Sequence, residues 1–323
     1  MLAILSVTFP FFALIGIGYL AARTGALPVA AVPGLNVFVL YFALTAMLYQ
    51  LGAATPIRQL LDPAVLGLWL VAGLAVLAIA AATARRSGRG WLDSAFGGLI
   101  AALPNSGFMG VPLLLALVGQ EAAGPISASL LVDIVLIQSI AIALAHFGDR
   151  GSSSLTTQVI ASLGRVVRNP LPWAIMLGAL AGWAQVSLPA PVDAVVTMLA
   201  AAATPVALFT IGAVLARERG GSTPGRVRTG VRAFGDAYWL AGLKLFVHPL
   251  LVWVLGLGMQ AVGIALSPTA HLVLILTAAL PAAANVAVLA ERYGANSARV
   301  ARVILISTVL SYLTFTAAAA LSS

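Results

Sequence analysis

The sequence predicts an all-α polytopic membrane protein: ten transmembrane helices forming an inverted repeat of five plus five, with the fourth and ninth spans broken and crossing. Three observations predict it. Of 323 residues, 61% are hydrophobic and 8% charged, with mean hydropathy +1.07, far beyond a water-soluble domain. Apolar stretches of the ~20 residues that cross a bilayer recur along the chain. The two halves also share a matched pair of helix-breaking motifs.

The spans run over 2–22, 33–52, 64–84, 94–118, 124–146, 171–186, 192–216, 237–258, 269–290 and 303–321. Span 1 has no basic leader and is too long for a signal peptide, so it belongs to the mature fold. Span 6 is short. Spans 4 and 9 are interrupted, the fourth by "LPNSGFMGVP" at 103–112. The chain has no cysteine, which excludes disulfides, thiolate metal sites and cysteine nucleophiles together.

The formal net charge is +8, and the placement of the arginines explains it. Arg23 follows span 1; Arg85, Arg86 and Arg89 follow span 3; Arg150, Arg165 and Arg168 follow span 5. Arg217, Arg219, Arg226, Arg228 and Arg232 follow span 7, and Arg292, Arg299 and Arg302 follow span 9. The even-numbered loops hold Arg58 alone. By the positive-inside bias the odd-numbered loops are cytoplasmic and both termini lie on the outer side. These arginines sit in short loops without interleaved aromatics, so the basic excess marks topology and anionic headgroups, not nucleic acid.

The longest polar stretches, "GDRGSSSLTTQ" (148–158) and "RERGGSTPGRVRTG" (217–230), are cytoplasmic in this topology. The first begins a linker, 148–169, between a five-span repeat at 1–147 and a second at 170–323. "AALPNSGFMGVPLLLALVG" (101–119) lines up with "AALPAAANVAVLAERYG" (278–294). Pro10 lies opposite Pro170, and Gly52 in "MLYQLG" opposite Gly212 in "ALFTIG". Each half has an odd number of spans, so the second copy enters the membrane from the other side. Inverted repeats with corresponding broken helices point to a secondary transporter and to its binding site. Non-helical backbone at that depth is tolerated where protein buries it or where it lines a wet cavity, and half-helix N-termini there suit an anion.

The stretches "FALIGIGYLAARTGAL" (12–27), "LNVFVLYFALTAMLY" (35–49), "LPNSGFMGVPLL" (103–114), "TPVALFTIGAVLA" (204–216), "LKLFVHPLL" (243–251) and "ALPAAANVAVLAERYG" (279–294), in this order, resemble the auxin efflux carrier family. That family includes the plant PIN auxin exporters and bacterial carriers of malonate or malate. The resemblance covers nearly the whole chain. It implies a fold similar to the sodium-bile acid symporters, with a scaffold from spans 1, 2, 6 and 7 and a transport domain from spans 3–5 and 8–10. It further implies that spans 4 and 9 cross at Pro104 and Pro281, with Asn105 beside the first crossover, an elevator-type mechanism, a homodimer joined through the scaffold, and the bacterial inner membrane as location. Two departures stand out. Span 3 lacks the acidic and basic residues of the PIN exporters, and Thr45 stands where the family often has proline, although its repeat mate Pro205 is retained.

Few polar residues remain inside the spans, where each is costly. Asn105 either contacts a substrate carboxylate or caps the next half-helix; Asn285, four residues past Pro281, has the same two readings. With Pro104, Ser106, Gly107 and Pro281 they form the candidate substrate site. Asp133, in mid-span 5, calls for coupling to a proton or sodium ion or for a structural ion pair. Lys244, the lone lysine, suits a counter-charge for substrate or for Asp133, or snorkelling to headgroups. His248, one turn on, suits a proton relay or a structural hydrogen bond. Gln138, Asn36, Gln50 and His271 suit hydrogen bonds between helices, and Gly16, Gly18, Gly178 and Gly182 suit close helix packing.

The leading expectation is a secondary carrier of small organic anions, mono- or dicarboxylates, with no cofactor or metal and either H+ or Na+ as coupling ion. A sodium-coupled symporter of the bile-acid type is the alternative within the carrier class. An intramembrane enzyme would need a nucleophile with its base, or metal ligands. The chain has no G-x-S-x-G or H-E-x-x-H motif, and Ser106 has no evident base in sequence. A channel or sensor on a transporter scaffold is the third alternative.

Overall fold

The computed structural model describes residues 2–146, 170–220 and 231–322; the expected linker at 148–169 lies outside them. Among the described residues every regular element is helical. The helices are α1 (Leu2–Arg23), α2 (Val32–Ala54), α3 (Pro63–Arg86), α4 (Trp91–Ala102), α5 (Ser106–Val118), α6 (Gln120–Ala145), α7 (Pro170–Trp183), α8 (Ala190–Gly220), α9 (Gly235–Ala261), α10 (Pro268–Ala279), α11 (Asn285–Tyr293) and α12 (Ser297–Ser322). Among the described residues six helices are long and apolar enough to cross a membrane, and four shorter apolar helices accompany them. The protein is multi-pass.

Local chemistry fixes several helix starts. Asp62 caps α3, its side chain accepting from the N–H groups of Ala64 and Val65, with Pro63 in the first turn. Ser267 caps α10 in the same way, accepting from Ala270 ahead of Pro268. In both, proline occupies a position whose N–H has no helical partner anyway. Wider π turns interrupt α2 at Val39–Ala43, α6 at Val132–Ile137 and α9 at Leu243–Val247, and α5 opens with one at Ser106–Gly110. Such turns inside α-helices often mark functional sites. At the first, the Thr45 hydroxyl donates to the carbonyl of Leu40 at 3.0 Å.

The chain divides into two compact units. The first holds α1, α2, α5, the start of α6, α7 and α8; the second holds α3, α4, α6 from Ala128 onward and α9 to α12.

The first unit is built on glycine contacts. A Cβ on Gly18 of α1 would lie 1.9 Å from the carbonyl oxygen of Phe209 in α8, and one on Gly212 of α8 would lie 1.9 Å from that of Ile15 in α1. A Cβ on Gly52 of α2 would lie 2.2 Å from the carbonyl oxygen of Ile175 in α7, and one on Gly178 of α7 would lie 2.1 Å from that of Tyr49 in α2. One and the same sequence offset carries Ile15 to Ile175, Gly18 to Gly178, Tyr49 to Phe209 and Gly52 to Gly212. Gly182 packs against Ala53 likewise. Gly16 takes no part, since a Cβ there would meet nothing within 4 Å. Small residues let helix backbones meet where lipid tails compete for apolar surface. Between α2 and α8, Gln50 donates to Thr197 at 2.8 Å.

The second unit buries polar groups. Arg299 of α12, 3% exposed, donates from Nε and Nη2 to the two carboxylate oxygens of Asp236 and from Nη1 to the carbonyl of Asp93. Asp93 in turn accepts from the N–H of Asn296, and Arg89 pairs with Asp236 at 3.3 Å. Gly97 leaves room for the guanidinium, whose Nη1 would lie 2.7 Å from a Cβ there. His271 of α10 lies 3.2 Å from the carbonyl of Val252 in α9, beside Gly256. Arg299 counted in the sequence only as a loop charge; it is a buried tie between α4, α9 and α12.

Candidate functional site

The second unit contains both helix breaks up to Asn105. Helix α4 stops at Ala102 and α10 at Ala279, and in each the next residue precedes a proline. Proline's ring bars the preceding residue from the helical region. Leu103 accordingly sits at φ −84°, ψ 115° and Leu280 at φ −63°, ψ 155°.

The two extended segments pair in antiparallel fashion, with Pro104 opposite Ala282. The N–H of Asn105 donates to the carbonyl of Pro281 at 2.8 Å, and the N–H of Ala283 donates to the carbonyl of Leu103 at 3.0 Å. Two side chains serve groups freed by the second break. Ser307 of α12 accepts from the N–H of Ala282 at 3.1 Å, and the Lys244 ammonium donates to the carbonyl of Ala278. In a continuous helix those two groups would have bonded each other. An unsatisfied backbone group at membrane depth costs several kcal/mol, so these partners make the breaks tenable.

Lys244 is 0% exposed and sits in the π turn of α9. It therefore does not snorkel to the headgroups. Its Nζ lies 3.4 Å from Nδ1 of His248, one turn later on the same face. Asp133, in the π turn of α6, accepts from the indole N–H of Trp69 in α3 at 2.8 Å, and the Trp69 ring lies 5.1 Å from that of His248, centroid to centroid. The second carboxylate oxygen of Asp133 and Nε2 of His248 are buried without a hydrogen-bond partner among the described residues.

The structure thus groups Pro104, Asn105 and Pro281 at the paired breaks, and Asp133, Lys244 and His248 in one buried polar set. Lys244 joins the set to the second break through Ala278. Asn105 is 5% exposed. Asn285 is half-buried as the first residue of α11, and Gln138 is half-buried just past the π turn of α6. Ser106 and Gly107 open α5 in the first unit; the Ser106 hydroxyl is buried with no partner among the described residues.

Sequence reading missed Trp69, Ser307 and Asp236. A tryptophan in an apolar span was the available signal for the first, because a buried indole N–H needs an acceptor. Ser307 offered less, since serine is common in membrane helices.

The sequence matches the family described as membrane transport protein over residues 3–318, nearly its full length. The match is to the auxin efflux carriers. The chain belongs to that family. A protein of Rhizobium meliloti (strain 1021) named "Putative malonate transporter" is 30% identical, the alignment covering 98% of this chain and 95% of that one. Asp133, Lys244 and His248 are thus buried ionisable groups of a membrane transporter.

Proposed function

We propose that this transporter is a secondary carrier of small organic anions, dicarboxylates of the malonate and malate class above all. It would work by an elevator-type mechanism in the bacterial inner membrane, with both termini outside. The observation that carries this reading is the backbone pairing of the two breaks around Pro104 and Pro281. Two helices cut at corresponding motifs fit an inverted repeat, as does the single offset relating the glycine contacts of the first unit. Helices that restart after such breaks offer free N–H groups and the positive ends of their dipoles to a carboxylate.

In this reading Asn105, with Ser106 and Gly107 after it, and Asn285 beyond Pro281 supply the amide, hydroxyl and backbone donors. Asp133, Lys244, His248 and Gln138 balance charge and couple ions. A transport domain of spans 3–5 and 8–10 carries the substrate while spans 1, 2, 6 and 7 stay fixed and join two copies. The malonate named for the Rhizobium relative supports the choice of substrate class.

The test is uptake by the purified protein in proteoliposomes, with malonate, malate, succinate, lactate and indole-3-acetate as a panel. Saturable uptake of a dicarboxylate that other dicarboxylates compete away is the expected result. Uptake of none of the panel, or a flux that fails to saturate as in a channel, would refute the carrier reading.

A further inference from the structure

A break inside a membrane helix leaves a negative end as well as a positive one. The last turn of α10 exposes carbonyls and carries about half a negative charge. Asp133 adds a carboxylate to the same buried set. In carriers with broken helices, such C-terminal ends and unwound carbonyls coordinate a sodium ion. Here a chain cation is on the spot: Lys244, fully buried, donates to the carbonyl of Ala278 that the break frees.

We propose that the Lys244 ammonium is a tethered cation in the place of a coupling sodium ion at the second break, which makes anion transport independent of sodium. The inference rests on reading the breaks as an anion site, and it commits the coupling question to one side. The ammonium already takes up the Ala278 carbonyl, and a second, fully dehydrated cation beside it would meet like-charge repulsion that the half-helix end is too weak to offset. Nδ1 of His248 lies 3.4 Å from Nζ on the same helix face, and Trp69 donates to the Asp133 side chain from the other side of the set. The π turns at Leu243–Val247 and Val132–Ile137 set both charged residues within their helices. Without the ammonium, the Ala278 carbonyl would lose its partner and the buried set would keep the Asp133 side chain with no cation of its own, which favours entry of a free cation.

The experiment compares Na+ with choline at constant ionic strength in two assays on the purified full-length protein: melting in detergent, and malonate uptake in proteoliposomes. Wild type is expected to melt alike in both salts and to take up malonate at rates within about twofold. Lys244→Met is expected to lose about tenfold or more of its uptake in choline, to regain part of it in Na+, and to melt higher in Na+. Lys244→Arg keeps the charge and is expected to stay sodium-insensitive. If Lys244→Met does not fold, the double variant Asp133→Asn/Lys244→Met, which buries no lone charge, is expected to fold and to melt alike in both salts.

Wild type that melts higher or transports about tenfold faster in Na+ overturns the proposal, as does Lys244→Met with wild-type uptake in choline or with no response to Na+. Sodium-dependent melting of the double variant also overturns it. Wild type that moves no carboxylate at all overturns the anion reading instead, and the melting comparison still decides the tethered cation.

Discussion

The two compact units hold their helices together by opposite means. In the first, the decisive contacts belong to residues without side chains: Gly18, Gly52, Gly178 and Gly212 each face a carbonyl of a neighbouring helix, and one offset relates all four contacts. In the second, polar side chains are buried and bonded: Arg299 to Asp236, Trp69 to Asp133, Lys244 to Ala278, Ser307 to Ala282. Backbone contact through glycine is indifferent to charge and rigid, which suits a fixed frame. Hydrogen-bonded side chains around broken helices present charges and open backbone groups, which suits ligand chemistry. In the first unit one offset relates the glycine contacts, whereas in the second Lys244 and Ser307 serve the second break.

If this contrast is right, the largest effects follow from crowding the first unit. Gly52→Leu and Gly212→Leu would each drive a side chain into backbone, at a cost of about 3 kcal/mol or more. The two variants should be matched in severity, with loss of monodisperse protein on size exclusion. Gly16→Leu, where a Cβ meets open space, should behave as wild type. Unequal damage from the first two would break the symmetry argument.

Next comes Arg299→Ala in the second unit, which leaves Asp236 with Arg89 alone and removes three hydrogen bonds, and should lower stability by about 1.5–3 kcal/mol. Arg299→Lys should fail to restore it, because a lysine cannot span both carboxylate oxygens. Chemical or thermal denaturation in detergent reads both.

Asn105→Ala should leave melting nearly unchanged, since the Asn105 bond to Pro281 uses the backbone N–H. Losing a hydrogen bond to a charged ligand costs about 1.5–3 kcal/mol, so malonate uptake should fall roughly ten- to a hundredfold. Ser307→Ala should cost about 1–2 kcal/mol in stability by leaving the N–H of Ala282 buried and unmet. Gln50→Ala, which removes one exposed bond to Thr197, should change stability by no more than about 0.5 kcal/mol.

The sequence foretold the helix breaks well because proline and its neighbour constrain the backbone locally, whatever surrounds them. Pro104 and Pro281 sit where the helices end, and the apolar runs fall on the helices α1 to α12. The glycines of "MLYQLG" and "ALFTIG", set opposite each other in the sequence, each face a carbonyl of a neighbouring helix. What surrounds the breaks was not visible. Whether Lys244 snorkels or turns inward depends on how α9 is rotated, and nothing in "LKLFVHPLL" states that rotation. Arg299 looked like one more loop charge because its partners, Asp93 and Asp236, are far away in sequence. Trp69 looked apolar until Asp133 was brought to its N–H.

The most direct test of the central claim is equilibrium binding of malonate to the purified protein, with wild type compared to Asn105→Asp. The substitution keeps the side chain's shape and sets a carboxylate beside the backbone pair of Asn105 and Pro281. Saturable binding by wild type, lost in Asn105→Asp that still elutes as folded protein, is the expected result. Equal binding by both would contradict the claim that an anion is held at the paired helix breaks.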